Sequence, residues 1–275
     1  MPENVDHDVV SDFGNEWSRF DQSHLTAAEH EAIFNEYFAM FPWQRLPAGA
    51  TGFDLGCGSG RWAVLVAKRV GHLHCIDPSG AIEVARRNLR DAPNCSFHQT
   101  TVDAIPLADG SMDFGYSLGV LHHVPDTQKG LDACVRKLKP GAPFLVYLYY
   151  AFDNQPAWFR AIWKISDIVR RATCALPAGP KHVVSDAIAV TVYWPLASIA
   201  NVLEKVGLNV HSVPLSNYRD KSFYSMRTDA LDRFGTRLEQ RFTQAEMRAM
   251  MQAAGLDDIQ FSPTVPFWCA VGIKT

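Results

Sequence analysis

The sequence lacks the features that mark several classes of protein. Its six cysteines include no Cys-x-x-Cys pair, and no group of His, Cys and Asp has metal-ligand spacing, so we expect reduced thiols and no metal. The first ten residues are acidic and lack the apolar core of a signal peptide, which predicts a cytoplasmic protein. The most apolar stretch, Ala187–Leu203, contains Pro195 and Asn201. It is too short and interrupted to span a bilayer, so no membrane contact is expected.

The chain also lacks a large excess of either sign of charge, because 26 Lys and Arg oppose 29 Asp and Glu and leave a net charge of −3. This balance gives no reason to expect nucleic acid as a partner. The charge is uneven, however, since residues 150–242 hold 12 basic and 8 acidic residues whereas the rest holds 14 and 21. With 47% hydrophobic residues the chain can bury a large core, and its middle differs in kind from its flanks.

Short apolar runs alternate with helical patterns between residues 50 and 150. That alternation predicts repeated βαβ units and therefore a parallel sheet covered on both faces. After residue 243 a capped helix precedes two apolar runs whose short connection allows only antiparallel pairing. We therefore predict an α/β fold with a seven-stranded, mostly parallel, doubly wound sheet whose last strand is antiparallel. The predicted strands are Thr51–Leu55, Leu73–Ile76, Ser96–Gln99, Phe114–Leu118, Phe144–Tyr149, Asp258–Phe261 and Phe267–Ile273.

The alternation stops over residues 154–242, a stretch too long for a connection. Helical periodicity predicts helices over residues 156–171 and 195–205, with aromatic loops between and after them. We expect a largely helical insertion after the fifth strand that serves as a substrate-binding lid. The main domain would comprise residues 50–153 and 243–275. Residues 1–49, predicted as a mobile arm over 1–23 and a helix over 25–41, would cover the cofactor site.

A glycine-rich turn follows the first strand. Residues 53–61 read Phe-Asp-Leu-Gly-Cys-Gly-Ser-Gly-Arg, with an apolar strand end, alternating glycines and the start of a helix. Glycines there permit unusual backbone angles and let a ligand approach the chain closely. Asp77 ends the next apolar strand, where a carboxylate can accept hydrogen bonds from both hydroxyls of a ribose. Both features fall at the carboxyl ends of neighbouring strands, which predicts a nucleoside site.

These features resemble the class I Rossmann-like methyltransferases, which use S-adenosylmethionine (SAM). Residues 54–60 match the family's first motif and Asp77 matches the acid after its second strand. Residues 102–107, 114–124 and 138–141 match, in order, the adenine-contacting loop, the fourth-strand motif and the turn before the fifth strand. The resemblance covers about residues 50–150 and 243–275, and it departs from the family at Ala142, where a second glycine is common.

The resemblance implies roles for individual residues. Gly56, Gly58 and Gly60 would line the methionine part of SAM, and Asp54 would help to hold its amino group. Asp77 would bind the ribose. The product would be S-adenosylhomocysteine (SAH). The other implied cofactor contacts are Pro78 against the adenine, Val102 and Asp103 at the adenine edge, and the backbone of Ser117 near the sulfonium.

The glycine turn has two other interpretations. A nicotinamide dehydrogenase usually carries Gly-x-Gly-x-x-Gly, whereas this turn reads Gly-x-Gly-x-Gly, so the pyrophosphate fingerprint does not match. A non-catalytic SAM-binding relative stays open as a different class of protein. Consumption of SAM during turnover would separate it from an enzyme.

His122 and His123 follow the fourth strand. One of them, with His122 favoured, could act as general base on a substrate hydroxyl or amine. Alternatively, both cap and pack the strand end. Tyr149 and Tyr150 continue from the fifth strand towards the expected mouth of the pocket, where either substrate contact or packing is open.

Residues 218–229 of the insertion are dense in aromatic and hydrogen-bonding side chains. We predict that they form the lid over the acceptor, with Tyr224 in contact and Arg219 or Arg227 binding an anionic group. The alternative is that both arginines form ion pairs inside the insertion. The carboxylates available for such pairs are Asp220, Asp229 and Asp232.

The N-terminal segment carries the sequence Phe13-Gly14-x-x-Trp17. Trp17 is predicted to fold over SAM and exclude water, or else the segment docks on the outside of the sheet. No motif fixes the acceptor, so oxygen, amine and activated-carbon acceptors of a small metabolite stay open. Oxygen ranks first because the Tyr- and Arg-rich segment suits a polar acceptor. RNA ranks lower because the chain is net acidic and shows no appended RNA module.

Overall fold

A seven-stranded sheet forms the centre of the protein in a computed structural model, which describes residues 3–210 and 213–275. The strand order is β3-β2-β1-β4-β5-β7-β6, in which β1 to β5 are parallel and β7 runs antiparallel to both neighbours. The predicted fold class is confirmed. The strands are β1 Thr51–Leu55, β2 His72–Ile76, β3 Cys95–His98, β4 Phe114–Leu118, β5 Pro143–Tyr147, β6 Leu256–Phe261 and β7 Cys269–Lys274.

Ten α-helices accompany the sheet in the described residues. Several begin at side-chain caps that satisfy the free N–H groups of the first turn. Asp126 accepts from Lys129 N at 3.0 Å, and Thr243 and Glu246 form the predicted capping box. The helices are α1 His7–Arg19, α2 Ala27–Tyr37, α3 Ala63–Val66, α4 Ala81–Asn88, α5 Thr127–Lys137, α6 Ala157–Cys174, α7 Ala178–Ile188, α8 Trp194–Lys205, α9 Phe223–Gly235 and α10 Gln244–Ala253.

The two central strands interlock through glycines. Gly52 of β1 pairs with Phe114 of β4, and Phe53 pairs with Gly115. A Cβ atom on Gly52 would lie 2.3 Å from the Phe114 ring, and one on Gly115 would lie 2.4 Å from the Phe53 ring. Each aromatic ring therefore covers the glycine of the adjacent strand. This packing fixes the register of the strands that carry the glycine turn and the fourth-strand motif.

The chain divides into two compact units. One comprises residues up to 22, 31–151 and 238–275, and it contains the sheet. The other comprises residues 23–30 and 152–237 and is largely helical. In the helical unit α6, α7 and α9 pack together, and the buried Tyr193 hydroxyl donates to Asp229 at 2.7 Å.

Three local predictions from the sequence were wrong. The mobile arm over residues 1–23 contains helix α1, because the Asp6 carboxylate accepts from the backbone N–H groups of Asp8 and Val9. The aromatic loop after residue 205 contains helix α9, which Ser222 caps through Ser225 N. Helix α7 was not predicted, and it joins α8 through one π-helical segment to give a continuous run from Ala178 to Lys205.

That run is 28 residues long. Among the described residues it is the one helix that is long and apolar enough to cross a bilayer, judged by length and composition alone. In its most apolar stretch of 18 residues, 28% are buried. The sequence prediction had treated only residues 187–203.

Candidate active site

The glycine turn leaves β1 in backbone conformations that side chains disfavour. Gly56, Gly58 and Gly60 have φ angles of +75°, +52° and +77°. A Cβ atom on Gly56 would lie 2.3 Å from the side chain of Val120. The N–H of Gly56 donates to the carbonyl of Ile76 at 2.7 Å, which ties the turn to the end of β2. The turn is therefore a bare stretch of backbone held at the carboxyl edge of the sheet.

Asp77 is buried beside this turn. Its Oδ2 accepts from Gly58 N at 2.9 Å, and its Oδ1 accepts from the backbone N–H and hydroxyl of Ser79 at 2.9 and 2.6 Å. Burial raises the pKa of Asp77, and the bonds from Ser79 and Gly58 offset part of that rise. Each carboxylate oxygen accepts about two hydrogen bonds, so Oδ2 retains a free acceptor position for a ligand hydroxyl.

Asp54 ends β1 with a carboxylate that is 1% exposed. Neither of its oxygens has a hydrogen-bond partner among the described residues. Burial raises the pKa of Asp54 well above its usual value, and the charge of Asp77 adds to the rise. The nearby Tyr116 hydroxyl lowers the pKa of Asp54 and so offsets part of this rise. The contact between the two groups does not, however, have the geometry of a hydrogen bond. A buried carboxylate without a partner is costly, which points to a cation that completes the site when bound.

Helix α1 lies across the same edge of the sheet. The indole of Trp17 packs on the glycine turn, because a Cβ atom on Gly58 would lie 3.0 Å from its Nε1. Gly14 faces Ser79 with a corresponding distance of 3.5 Å, and the Phe13 ring lies 4.9 Å from the His123 ring. The helix thus covers the turn, the serine that holds Asp77 and the histidines. Its contacts agree with the predicted position of Trp17, whose role towards SAM stays a prediction.

Asp103 follows β3 in a short 3-10 helix. Its carboxylate accepts from the backbone N–H of Asn4 and from Lys129 Nζ at 3.2 Å. Asn4 is itself buried and also bonds the backbone of Asp126 in both directions. One backbone N–H of the N-terminal segment therefore donates to the carboxylate that was predicted to contact adenine. A role for Asp103 towards adenine stays a prediction.

The remaining predicted cofactor residues occupy the same edge. Val102 is buried in the apolar core, so only its backbone is available to a ligand, and Pro78 is half-buried. Ser117 is fully buried in β4, and its hydroxyl donates to the carbonyl of Leu55 at 3.0 Å. This bond joins β4 to the start of the glycine turn.

The residues present fit an adenosyl sulfonium ligand. Asp54 offers an uncompensated carboxylate for an amino group, and the glycine turn offers backbone without side chains. Asp77 offers a free acceptor position for a ribose hydroxyl. These three features meet the charge, shape and hydrogen-bonding requirements of the methionine and ribose portions of SAM.

His122 is fully buried at the end of β4. Its ring stacks on Tyr149 at 4.0 Å between centroids and lies 4.0 Å from the ring of His123. Neither ring nitrogen of His122 has a partner among the described residues. Burial lowers the pKa of His122 well below its usual value, and the charges of His123 and Arg241 lower it further. The imidazole is therefore neutral at pH 7, and the same burial makes it a weaker base than an ordinary histidine.

His123 has a different environment. Its Nδ1 donates to the carbonyl of Leu238 at 2.6 Å, which fixes the ring. The ring also packs against Phe13 and, edge on, against Tyr149. Of the two predicted catalytic histidines, His123 is thus tied to the backbone and His122 presents both ring nitrogens without a hydrogen bond.

The sequence analysis missed the segment 238–242, which lies against the histidines. Gln240 N donates to the carbonyl of His122 at 3.0 Å, and its side chain donates to the carbonyl of Val124 at 2.7 Å. Arg241 stacks over Tyr149 at 5.0 Å and forms an ion pair with Glu239 at 2.7 Å. Both side chains of that pair are 10% exposed or less. No local motif marks this segment, because its partners lie more than 85 residues away in sequence.

Tyr150 points away from this cluster. It packs against Phe267 and Trp268 with centroid distances of 5.7 and 6.3 Å. Tyr149 and Tyr150 therefore lie in different environments, with Tyr149 beside His122 and Tyr150 among the aromatic residues that precede β7.

Arg219, Tyr224 and Arg227 belong to the helical unit. Arg219 forms an ion pair with Glu204 at 2.7 Å, and Arg227 binds Asp186 through two hydrogen bonds of 3.0 Å. Arg219 also lies 3.6 Å from the Asp220 carboxylate. Both arginines thus form ion pairs inside their own unit, as the alternative interpretation states; Asp220 is one of the partners named there, whereas Glu204 and Asp186 were not named. Tyr224 lies at the start of α9, with its ring 5.8 Å from that of His24.

Comparisons with known proteins agree with this geometry. Residues 53–146 match the family model described as "Methyltransferase domain". The chain is 32% identical over 105 residues to "Phosphoethanolamine N-methyltransferase 2" of Caenorhabditis elegans, covering 37% of this chain and 24% of that protein. It is 34% identical over 104 residues to "Ubiquinone biosynthesis O-methyltransferase" of Marinobacter nauticus, covering 36% of this chain and 44% of that protein. The chain thus spans less than half the length of these relatives.

One solved structure matches over nearly the whole chain. It is a chain of the complex between the Haloferax volcanii Trm112 methyltransferase activator and a methyltransferase. The TM-score is 0.51 with 17% sequence identity, and the match covers 96% of this chain and 97% of that one. This similarity supports the fold alone.

The strand order, the glycine turn and the acids at the ends of β1 and β2 define the class I fold of SAM-dependent methyltransferases. Residues 53–146 of this chain are a methyltransferase domain of that family.

Proposed function

We propose that the protein transfers the methyl group of SAM to an oxygen atom of a small-molecule acceptor and releases SAH. The observation that carries the cofactor assignment is the buried Asp54 carboxylate, which lacks a partner beside a glycine turn bonded to Asp77. An ammonium group at Asp54 would compensate its charge, and a ribose hydroxyl would occupy the free position on Asp77 Oδ2.

SAM, when bound, supplies an electrophilic methyl group on a sulfonium. The residues of this chain bind and orient it. Methyl transfer is an in-line displacement, so alignment of the acceptor with that methyl group supplies much of the rate. Asp54, the glycine turn and Asp77 hold the donor at the carboxyl ends of β1 and β2. The aromatic cover from Trp17 reduces the access of water.

His122 supports an acceptor that must lose a proton. A hydroxyl is a poor nucleophile until its proton is removed, and a base near neutral pH contributes about 10²- to 10⁴-fold. His122 would accept that proton at a ring nitrogen as the new oxygen–methyl bond forms, as a weaker base than an ordinary histidine because burial lowers its pKa. The stacked ring of Tyr149 fixes the orientation of the imidazole. Tyr149 is therefore proposed as an acceptor contact.

A small-molecule amine is the second candidate acceptor. The similarity to a phosphoethanolamine N-methyltransferase over 105 residues favours it, as the similarity to a ubiquinone O-methyltransferase favours oxygen. An unprotonated amine attacks without a base. The two candidates therefore differ in how strongly the reaction depends on His122.

The test uses SAM carrying a deuterated methyl group with a fractionated metabolite extract, read by mass spectrometry. We expect one acceptor to gain the labelled methyl at a hydroxyl or carboxyl oxygen. The His122→Gln variant should lower kcat about 10²-fold or more with unchanged SAH affinity. His72→Gln, at the amino end of β2 where the His72 ring bonds the Ser96 hydroxyl at 2.8 Å, is the matched control and should keep full activity.

Three results would count against the proposal. Loss of SAM without a labelled acceptor in any fraction would contradict methyl transfer to a small molecule. If His122→Gln forms a labelled amine at the wild-type rate, the acceptor atom is nitrogen and the proposed oxygen acceptor is wrong. SAH binding without any consumption of SAM would indicate a non-catalytic relative.

A further inference from the structure

Helix α6 presents an apolar stripe to solvent. Trp158, Ile162, Ile165 and Val169 recur at intervals of four, three and four residues, which places them on one side of the helix. Their exposed fractions lie between 44% and 65%, and the adjacent Ile168 is 69% exposed. Five large apolar side chains on one surface helix exceed the scattered exposure that is common on protein surfaces.

The inward side of the same helix carries polar as well as apolar residues. Arg170, Thr173 and Cys174 are buried, and Phe159 and Trp163 pack against Phe152. Arg170 donates to the carbonyls of Thr236 and Arg237 at 3.0 and 3.3 Å. These bonds fix the orientation of the helix. The outward position of the isoleucines is therefore a feature of the fold.

Cations border the apolar stripe. Arg160, Lys164 and Arg171 are exposed, and at about 100° per residue they fall together on one arc of the exposed side, with Ile168 between them and the stripe. Asp167, the one acid of α6, is paired with Arg170 at 2.7 Å and with Arg171 at 2.8 Å. The exposed side of α6 thus combines large apolar side chains with an excess of positive charge.

The helical run Ala178–Lys205 has a second apolar surface. Val183, Val190, Trp194 and Val202 are 51% to 69% exposed. No Asp, Glu, Lys or Arg occurs in residues 187–203. The unit as a whole holds 11 Lys and Arg against 8 Asp and Glu.

The packing of this run differs from that of a helix that crosses a bilayer, although its length and composition would allow a crossing. Its other side is committed to the core of the helical unit, where Ala189, Tyr193, Ala197 and Ala200 are 1% exposed or less. The hydroxyl of Tyr193 is also bonded to Asp229 of α9. A helix packed on one side and apolar on the other is suited to lie at an interface.

We propose that the helical unit docks on the surface of an anionic lipid bilayer, with α6 lying in the interface. The apolar stripe would enter the boundary between headgroups and acyl chains, and Arg160, Lys164 and Arg171 would meet the anionic headgroups. Trp158 and Trp194 are residues of the type that settles at that depth. The sequence prediction of no membrane contact rested on the net charge of −3 and on the lack of a spanning segment, and this proposal departs from it.

The test is co-sedimentation of the full-length protein with vesicles. Vesicles of phosphatidylcholine with phosphatidylglycerol should bind the protein, and vesicles of phosphatidylcholine alone should bind it much more weakly. Binding should fall as salt concentration rises, because exposed charges are screened. Arg160→Glu with Lys164→Glu should reduce partitioning at least about tenfold. Ile165→Glu with Ile168→Glu should reduce it similarly by removing the apolar contact.

Lys68→Glu with Arg87→Glu is the matched control. Both residues are exposed on the sheet-containing unit, and the pair produces the same change in net charge as the α6 cation pair. This variant should bind vesicles like the wild type. All three variants should retain the wild-type Tm and SAH affinity, since the altered side chains are exposed and none of them is assigned to the cofactor.

The competing occupant of the apolar surface is a second copy of the chain. Absence of binding to anionic vesicles, together with a dimer that Ile165→Glu dissociates in sedimentation equilibrium, would overturn the proposal. Equal loss of binding in the control variant would also overturn it, because the attraction would then be a property of overall charge. Neither outcome depends on whether methyl transfer occurs, so failure here is distinguishable from failure of the proposed function.

Discussion

Replacement of Asp54 by Asn should make the ligand-free protein more stable and make it bind SAH more weakly. The wild-type carboxylate is 1% exposed, without a partner, and its pKa is raised well above its usual value by burial. Asn has nearly the same shape and no charge. The substitution therefore removes the cost of burying an ionisable carboxyl group without a partner, while it also removes the group that we assign to the amino group of SAM.

The expected magnitudes follow from the burial of the carboxylate. An unsatisfied buried polar group costs about 1–3 kcal/mol, and a neutral amide relieves part of that, so a gain of about 1 kcal/mol is expected. In a chain of this size such a gain raises Tm by about 2–4 °C. A hydrogen bond to a charged group contributes about 1.5–3 kcal/mol, so SAH affinity should fall about 10- to 150-fold.

The gain in stability should depend on pH. The folded protein holds the Asp54 proton at pH values where the unfolded carboxyl, with a pKa of about 3.9, has lost it. The free energy of unfolding of the wild type therefore falls as pH rises from that value through the raised folded pKa. Asp54→Asn removes this contribution, so its advantage should be largest at neutral pH and should disappear in acid.

The assay is thermal unfolding from pH 4 to pH 8, combined with calorimetric titration of SAH at pH 7. Asp113→Asn is the control, because Asp113 accepts from Thr51 N at 2.9 Å and from Lys139 Nζ at 2.7 Å at the opposite end of the sheet. It should lose stability and keep its SAH affinity. An Asp54→Asn protein that is less stable than the wild type at neutral pH, or that binds SAH equally tightly, would refute the reasoning.

Three further perturbations have expected outcomes. Gly56→Ala should cost about 2–5 kcal/mol in urea unfolding, because φ is +75° and the new Cβ would lie 2.3 Å from Val120; a loss below 0.5 kcal/mol would contradict this. Trp17→Ala should weaken SAH binding severalfold in calorimetry with little change in Tm; unchanged binding would remove the role of α1 as a cover. Burial lowers the pKa of His74 to about 4, so the free energy of unfolding of the wild type should fall as pH falls from 6.5 towards 4. His74→Gln should reduce this pH dependence when unfolding is measured across the same range.

The donor side of the site could be predicted from sequence because its signals are local. The glycine turn and Asp77 each follow an apolar strand directly, and parallel strands bring their carboxyl ends together. Strand periodicity and turn residues fixed most element positions to within one or two residues. The residues predicted to hold the donor therefore lie at one edge of the sheet, and their roles stay predictions.

The rest depended on contacts that are distant in sequence. Arg241 and Glu239 pack beside His122 only because residues 238–242 return to β4 and β5, and no pattern in the sequence links them. Helix α9 was missed because its aromatic and polar start, Phe223 and Tyr224, resembles a loop until Ser222 is recognised as its cap. The exposure of the Trp158, Ile162, Ile165 and Val169 stripe of α6 also lay beyond sequence reasoning, because periodicity identifies an apolar side without saying whether the core covers it.

A crystal structure of the protein with SAH tests the central claim most directly. The account predicts that the amino group of SAH lies within hydrogen-bonding distance of the Asp54 carboxylate, that a ribose hydroxyl donates to Asp77 Oδ2, and that the glycine turn faces the ligand without moving. Electron density for SAH elsewhere, or an Asp54 carboxylate that stays without a partner while SAH is bound, would contradict it.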